Sequence, residues 1–313
     1  MEKFVLHTAV AFCVFNRIET TRKVFEVIRE AKPPRLYIIA DAARKSVSGE
    51  KEKVDAVKKY IESNIDWECE VFQNYASENM GCGRRIPDGI NWVFKREEQV
   101  IILEDDCVPE PSFFRYCEEM LNYYKDDERI LMISGNNPCA NCHISSEDYL
   151  FTKVPFIWGW ATWKRAWNLY DFDLKSYPEN CKNKIFKQIF PLKAYWTYMA
   201  EFEAVYRHRF DAWDYQWLYA GIIHDKLCIT PTENHVMNIG ICEDSTHTNE
   251  LPKWMTAETK PVHFPINLRK EVVWDREFDQ EYFRIANKHG HIVKIKQLLG
   301  LDVNKSIFSI LRG

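Results

Sequence analysis

Three consecutive carboxylates, Glu104-Asp105-Asp106, end the apolar run Val100-Ile101-Ile102-Leu103, and Pro109 follows three residues later. Acids this close repel one another unless a cation or a proton intervenes, and a hard divalent ion in oxygen ligands is the ordinary remedy. Mg2+ and Mn2+ take one or two such carboxylates and fill their other positions with water and substrate phosphates. Asp41 follows a second apolar run and could accept hydrogen bonds from a nucleobase imide or a ribose hydroxyl, or cap the next segment. Arg17, after a third run, could pair with a pyrophosphate. Arg84 and Arg85 could do the same, because they follow Gly81-Cys82-Gly83 where a helix opens and its first amides favour anions. Trp213-Asp214-Tyr215-Gln216-Trp217 sets an acid between large rings. Aromatic walls desolvate a carboxylate and raise its pKa, as a general base near neutrality requires. The alternative is that Asp211 or Asp214 caps a helix whose tryptophans fill the core. His247, in a polar loop, could bind a metal or a phosphate.

These residues need a frame that brings them together. Apolar periodicity predicts strands at 8–15, 35–40, 67–73, 100–104 and 130–134, separated by helices at 18–29, 49–63, 84–96 and 111–125. Such alternation makes a parallel sheet with right-handed crossovers, and ligands of such sheets lie beyond the carboxyl ends of the strands. Arg17, Asp41 and Glu104–Asp106 all follow strands directly, so all are expected on one edge. From residue 158 the pattern turns helical: Trp158-Gly159-Trp160-Ala161-Thr162-Trp163 leads into a helix containing Trp167, and further helices are expected at 182–190, 194–208 and 211–223. A short strand at 227–230 precedes the loop 231–248. Residues 289–311 read as a terminal helix docked on the body, or as an amphipathic segment lying on a membrane with its lysines toward lipid phosphates.

Composition narrows the class. Among 313 residues, 46% are apolar and 28% charged, which is a folded globule and not a disordered chain. A net charge of −4 leaves no electrostatic footprint for nucleic acid. Eleven Trp, 15 Tyr and 19 Phe hint at ring-stacking surfaces beyond what a core needs. No apolar run is long enough to span a bilayer, and the N-terminal run is broken by His7 and Thr8, which makes it a first strand and not a signal peptide. The ten cysteines are scattered and expected to be reduced, in keeping with a cytoplasmic protein, or one peripheral on the inner face of the membrane. Cys139-x-x-Cys142-His143 has the spacing of half a zinc site with no second pair nearby.

Taken in order, these motifs resemble a glycosyltransferase of the GT-A fold, the nucleotide-diphospho-sugar transferases, over roughly residues 7–250. Glu104-Asp105-Asp106 matches the acidic "DXD" triplet of that fold, and Asp41 its base-recognising acid. The likeness is nearest to the N-acetylglucosaminyltransferase I family and related bacterial glycosyltransferases. Gly159-Trp160 is similar to that family's Gly-Trp pair opening a helix near the acceptor. Trp213-Asp214-Tyr215, about fifteen residues before Cys228-Ile229, is similar to its Trp-Asp-Asp-Trp segment holding the base. Met237-Asn238-Ile239-Gly240 with His247 resembles its donor-closing Met-x-x-Gly…His loop. Tyr215 stands where that family has its second acid, so the role of base falls to Asp214, Tyr being too weak a base at pH 7.

The resemblance implies a mostly parallel, Rossmann-like central sheet flanked by helices, with a nucleotide-binding half (1–135), a helical acceptor-binding half (136–250) and a partly helical C-terminal extension (251–313). It implies metal-dependent, inverting transfer from a nucleoside-diphosphate sugar, UDP-linked by expectation, to a glycan or glycolipid hydroxyl, as in polysaccharide biosynthesis. Asp106 and His247 would hold Mn2+ or Mg2+. Arg17, Asp41, Arg84, Glu104, Asp105 and His247 would hold the donor, and Trp158, Trp160 and Trp163 would stack on acceptor sugars. Two other readings compete: a nucleotidyltransferase that makes sugar nucleotides, and a non-catalytic carbohydrate-binding protein. The first normally carries a glycine-rich loop after the first strand, where this chain has Phe15-Asn16-Arg17-Ile18.

Overall fold

The structure is a computed structural model that describes residues 4–141, 145–240 and 257–286. In chain order its elements are β1 (Val10–Val14), α1 (Ile18–Ala31), β2 (Arg35–Ala40), α2 (Glu50–Asn64), β3 (Glu70–Tyr75), α3 (Cys82–Val93) and β4 (Gln99–Glu104). There follow β5 (Cys107–Pro109), α4 (Phe113–Tyr123), β6 (Ile130–Ser134), β7 (Tyr149–Thr152), β8 (Trp160–Trp163) and α5 (Lys164–Trp167). The last are α6 (Tyr177–Asn180), α7 (Lys184–Ile189), α8 (Leu192–Tyr206), α9 (Asp214–Ile223), β9 (Leu227–Pro231), β10 (Val236–Asn238) and α10 (Arg276–Ala286).

Eight strands form one sheet in the order β3-β2-β1-β4-β8-β6-β9-β7. β1 to β4 pair in parallel, as do β6 and β9. β8 is antiparallel to both its neighbours, and β7 is antiparallel to β9. The result is a mixed α/β fold with a mostly parallel, Rossmann-like sheet flanked by helices, as expected. The buried strands read as continuous apolar runs because helices cover both faces: every residue of β1 is buried, and all of β2 except Arg35. β3, at the edge, is exposed along much of its length. α1 buries Thr21, Val24, Phe25 and Ile28, the stripe its periodicity predicts, and ends where Lys32 turns left-handed and donates to Ile28 O.

Three expectations give way. Gly159-Trp160 opens a strand and not a helix: Trp160–Trp163 is wholly buried between β4 and β6, and the helix begins only at Lys164. The third strand lies at Glu70–Tyr75 instead of 67–73. The helix expected from residue 84 starts at Cys82, for a reason found in the site below. β7, the small β5–β10 ribbon and α10 carried too few periodic residues to be read from sequence. α10 is pinned by Asp279, whose Oδ2 accepts from Lys153 N at 2.6 Å and Trp274 Nε1 at 2.6 Å.

The core falls into two clusters, one along the sheet and one among α7, α8, α9 and α10 around Phe186, Phe202 and Tyr219. Among the described residues no helix is long and apolar enough to cross a membrane. His247, Cys142-His143 and the segment 289–311 lie outside the described residues.

Candidate active site

β1 and β4 are adjacent and in register from Val10↔Ile101 to Cys13↔Glu104, so the residues after them emerge side by side. That register brings Arg17 to the acidic triplet. Asp105 is buried, and its carboxylate accepts from Phe15 N at 3.1 Å and from the Arg17 guanidinium. The same Arg17 nitrogen reaches Asp106 Oδ2 at 2.9 Å. Burial alone would lower the Arg17 pKa, but attraction from Asp105 and Asp106 overrides it and the guanidinium is held firmly charged. Asp105 therefore braces the strand ends, and Arg17 clamps the triplet instead of standing free for a pyrophosphate. Breaking a buried pair of this kind by removing one partner costs about 3–5 kcal/mol, because a charge is left uncompensated. For Glu104, burial and then the charges of Asp106 and Asp105 push the carboxyl well above its ordinary range.

A loop roofs the triplet. β10 pairs antiparallel with β5, and Ile239 N donates to Asp106 O at 2.8 Å. Gly240 then lies so close that a Cβ there would sit 2.1 Å from Asp106 Oδ2 and 2.8 Å from Arg17 Nη1. The Met237–Gly240 segment of the sequence reading is thus packed on the acidic edge.

On the other side of β1, Asp41 is buried and organises the entrance to α3. Its carboxylate accepts from Ala42 N, Asn79 Nδ2, Met80 N and Gly81 N at 2.8–3.1 Å. Burial raises its pKa against the pull of those amides. The helix behind this loop is capped from a distance: Asp211 Oδ1 accepts from Gly83 N at 3.1 Å, and any Cβ at Gly81 or Gly83 would strike the Asp211 carboxylate. That cap explains why α3 begins at Cys82. It also settles the Asp211 part of the N-cap alternative, since Asp211 caps α3, while Trp213 and Trp217 fill the core as that alternative expected. Asp211→Ala is expected to cost about 1 kcal/mol of stability, as lost N-caps do, and a chemical denaturation midpoint measures it. Arg85 is buried and braces β2 to β3 through Ala40 O (3.1 Å) and Asn74 O (2.6 Å). Arg84 is exposed, its guanidinium lying 4.8 Å from the centre of the Phe172 ring.

The tryptophans divide. Trp160 is fully buried and stacks on Trp213 at 5.6 Å, with Trp167 and Trp217 at 6.0 and 6.1 Å. Trp163 is buried and donates to Leu121 O at 3.2 Å. Neither ring can meet a sugar, because each fills the space between the sheet and its helices. Trp158 is partly exposed at the carboxyl edge, where its amide donates to Asn136 Oδ1 at 3.1 Å.

Trp213 and Trp217 are core residues that seat the start of α9 against the sheet, and Asp214 opens that helix with its side chain partly exposed. Its charge reaches the triplet: after burial and the two aspartates, Asp214 also raises Glu104. After burial and Asp211, Glu104 and Asp214 help push the Cys82 thiol to about 12. One carboxylate from the helical half thus bears on Glu104 of the sheet. Sequence reasoning missed Glu201 of α8, a partly buried acid on which Asp214 also acts. The available signal was an acid flanked by Ala200 and Phe202 in a stretch that is otherwise apolar on its inner side.

Among the described residues no group of three or more His, Cys, Asp or Glu side chains converges as a metal cage. Asp106 is the triplet member pinned under the Gly240 loop with part of its carboxylate exposed, and Glu104 stands beside it. This donor set fits a hard divalent ion completed by phosphate oxygens and water, the habit of Mg2+ and Mn2+, and not a site built wholly from protein.

No family model and no curated protein matches this chain. Solved structures similar to it include the mannosyltransferase PcManGT from Pyrobaculum calidifontis in complex with GDP-Man and Mn2+, at 13% identity and a TM-score of 0.34 over 52% of this chain and 46% of that one. S. aureus TarS 1–349 is similar at 8% identity and a TM-score of 0.39, over 74% of this chain and 60% of that chain. A UDP-glucose pyrophosphorylase complexed with UDP-glucose is similar at 11% identity and a TM-score of 0.30, over 51% of this chain and 78% of that chain. The match to the mannosyltransferase spans about half of that protein's length. Likenesses this distant establish neither a family nor a substrate.

Proposed function

We propose that the chain is a metal-dependent, inverting glycosyltransferase, in the manner of the N-acetylglucosaminyltransferase I family, that moves a sugar from a nucleoside-diphosphate donor, UDP-linked by preference, to a hydroxyl of a glycan or glycolipid. The observation that carries this reading is the clamp at the carboxyl edge of the sheet, where Arg17 holds Asp105 and Asp106 while the charge of Asp214 bears on Glu104. Asp106, with Glu104 beside it, would hold the divalent ion, which when bound offsets the charge gathering on the leaving diphosphate. Asp105 and Arg17 fix Asp106 in place and keep part of its charge neutralised before any donor arrives. Asp214 takes the proton as the acceptor O–H breaks. The freed oxygen bonds to the anomeric carbon while the bond from that carbon to the diphosphate oxygen breaks on the opposite face, which inverts the centre. Trp158, the partly exposed ring at this edge, would flank the acceptor.

The turn between β1 and α1 favours this reading over a nucleotidyltransferase. It consists of Phe15, Asn16 and Arg17 alone, with no glycine whose bare backbone could wrap a triphosphate. The decisive experiment incubates the protein with a panel of sugar nucleotides and Mn2+ and measures free nucleoside diphosphate. A transferase releases it from one donor; a nucleotidyltransferase needs pyrophosphate or a nucleoside triphosphate; a binding protein releases none. The roof of the site supplies a second check. An added methyl in Gly240→Ala would crowd Asp106 and Arg17, and overpacking of about 1–3 kcal/mol corresponds to about 5- to 150-fold weaker donor binding. Donor titration by calorimetry measures it, and wild-type affinity would remove this loop from the donor site.

A further inference from the structure

Glu201 lies on α8 and faces α9. The two helices meet through Tyr198 on Tyr215, ring centres 6.3 Å apart, and Phe202 on Tyr219 at 5.5 Å. Glu201 Oε2 is sealed from solvent, and among the described residues nothing donates to it. A buried carboxylate oxygen without a donor is costly unless the group carries a proton. Asp214, at the first turn of α9, is the charged residue that acts on it.

We infer that Glu201 and Asp214 work as one carboxyl pair, in which Glu201 is the positioning residue that sets how strongly Asp214 draws a proton from the acceptor. The inference rests on reading Asp214 as the general base. Tyr215 of α9 feels both acids, and Tyr198 of α8 packs on it. Lys187 of α7 is turned to Tyr195 at 5.8 Å. Tyr170, whose buried hydroxyl also has no partner among the described residues, feels the charge of Asp214 as well.

Burial and then Asp214 push the Glu201 carboxyl up to about 7. Below neutrality Glu201 therefore holds a proton. Above neutrality Glu201 ionises, and its negative charge makes Asp214 more basic. A base of higher pKa accelerates a proton-limited transfer. Turnover should rise in a step through neutral pH, and that step belongs to Glu201.

The test has two arms. In carbon-13 NMR of protein labelled at glutamate side-chain carboxyls, the Glu201 resonance is the one missing from Glu201→Gln. It is expected to titrate near neutrality and to fall by a unit or more in Asp214→Asn. A resonance that titrates in the ordinary glutamate range, or that ignores Asp214→Asn, overturns the pair. In the activity arm, release of nucleoside diphosphate by Glu201→Gln should match wild type below pH 6 and fall about 3- to 10-fold behind it above pH 8. A deficit equal at every pH would make Glu201 merely structural and also overturn the inference. If the wild type releases no nucleoside diphosphate, the transferase reading fails, and the carboxyl titration then supports or overturns the pair by itself.

Discussion

Asp214→Asn is expected to lower sugar transfer by about 10²- to 10⁴-fold, the usual contribution of a positioned general base, while donor affinity stays within about twofold. The substitution is nearly isosteric and leaves Trp213 and Trp217 in the core, so the start of α9 keeps its seat. The Arg17 clamp is made with Asp105 and Asp106. Turnover measured by nucleoside-diphosphate release, with donor binding by calorimetry, separates the two effects. Unchanged turnover would take Asp214 out of the mechanism. Loss of binding in parallel with turnover would mean that it holds the donor instead of the acceptor proton.

Asp106→Ala should act on the other limb. With the pinned carboxylate gone, nucleotide binding in the presence of Mn2+ is expected to weaken by about 100-fold or more, since even residues that merely support a metal ligand cost 10- to 100-fold. The fold should survive, because Arg17 keeps Asp105 and Asp105 keeps Phe15 N. Calorimetry with and without Mn2+ reads the result directly. If the wild type binds nucleotide equally well in both conditions, Asp106 is not a metal ligand and the clamp serves some other purpose.

The carboxyl edge of the sheet was legible because runs such as Leu36–Ala40 are apolar along their whole length and stop at a charged residue. Parallel order then forces Arg17, Asp41 and the triplet onto one edge with no further information. The uses of those side chains were not legible. Asp41 and Asp211 both hold the entrance to α3, a contact between residues 39 or more positions apart that no local pattern encodes. Arg17 turning onto the acids depends on the register of β1 with β4. Trp160 and Trp163 misled because a Trp-rich run before a helix looks the same whether its rings face solvent or, as in β8, fill both faces of a buried strand. Glu201 escaped notice because one acid in a helix acquires meaning only when a neighbouring helix buries it.

β8 has a consequence for how the chain reaches its final form. It is inserted between β4 and β6, two strands that precede it in sequence. A nascent chain that has emerged only as far as Ser134 therefore carries two apolar strands with unmatched edges, and neither can close on the other. Until Trp160–Trp163 leaves the ribosome, the backbone of β4 that presents the acids lacks its outer partner. Chimeras that join the first 135 residues of this chain to a foreign second half would have to supply that strand, or they would inherit an open, sticky sheet beside the acidic triplet.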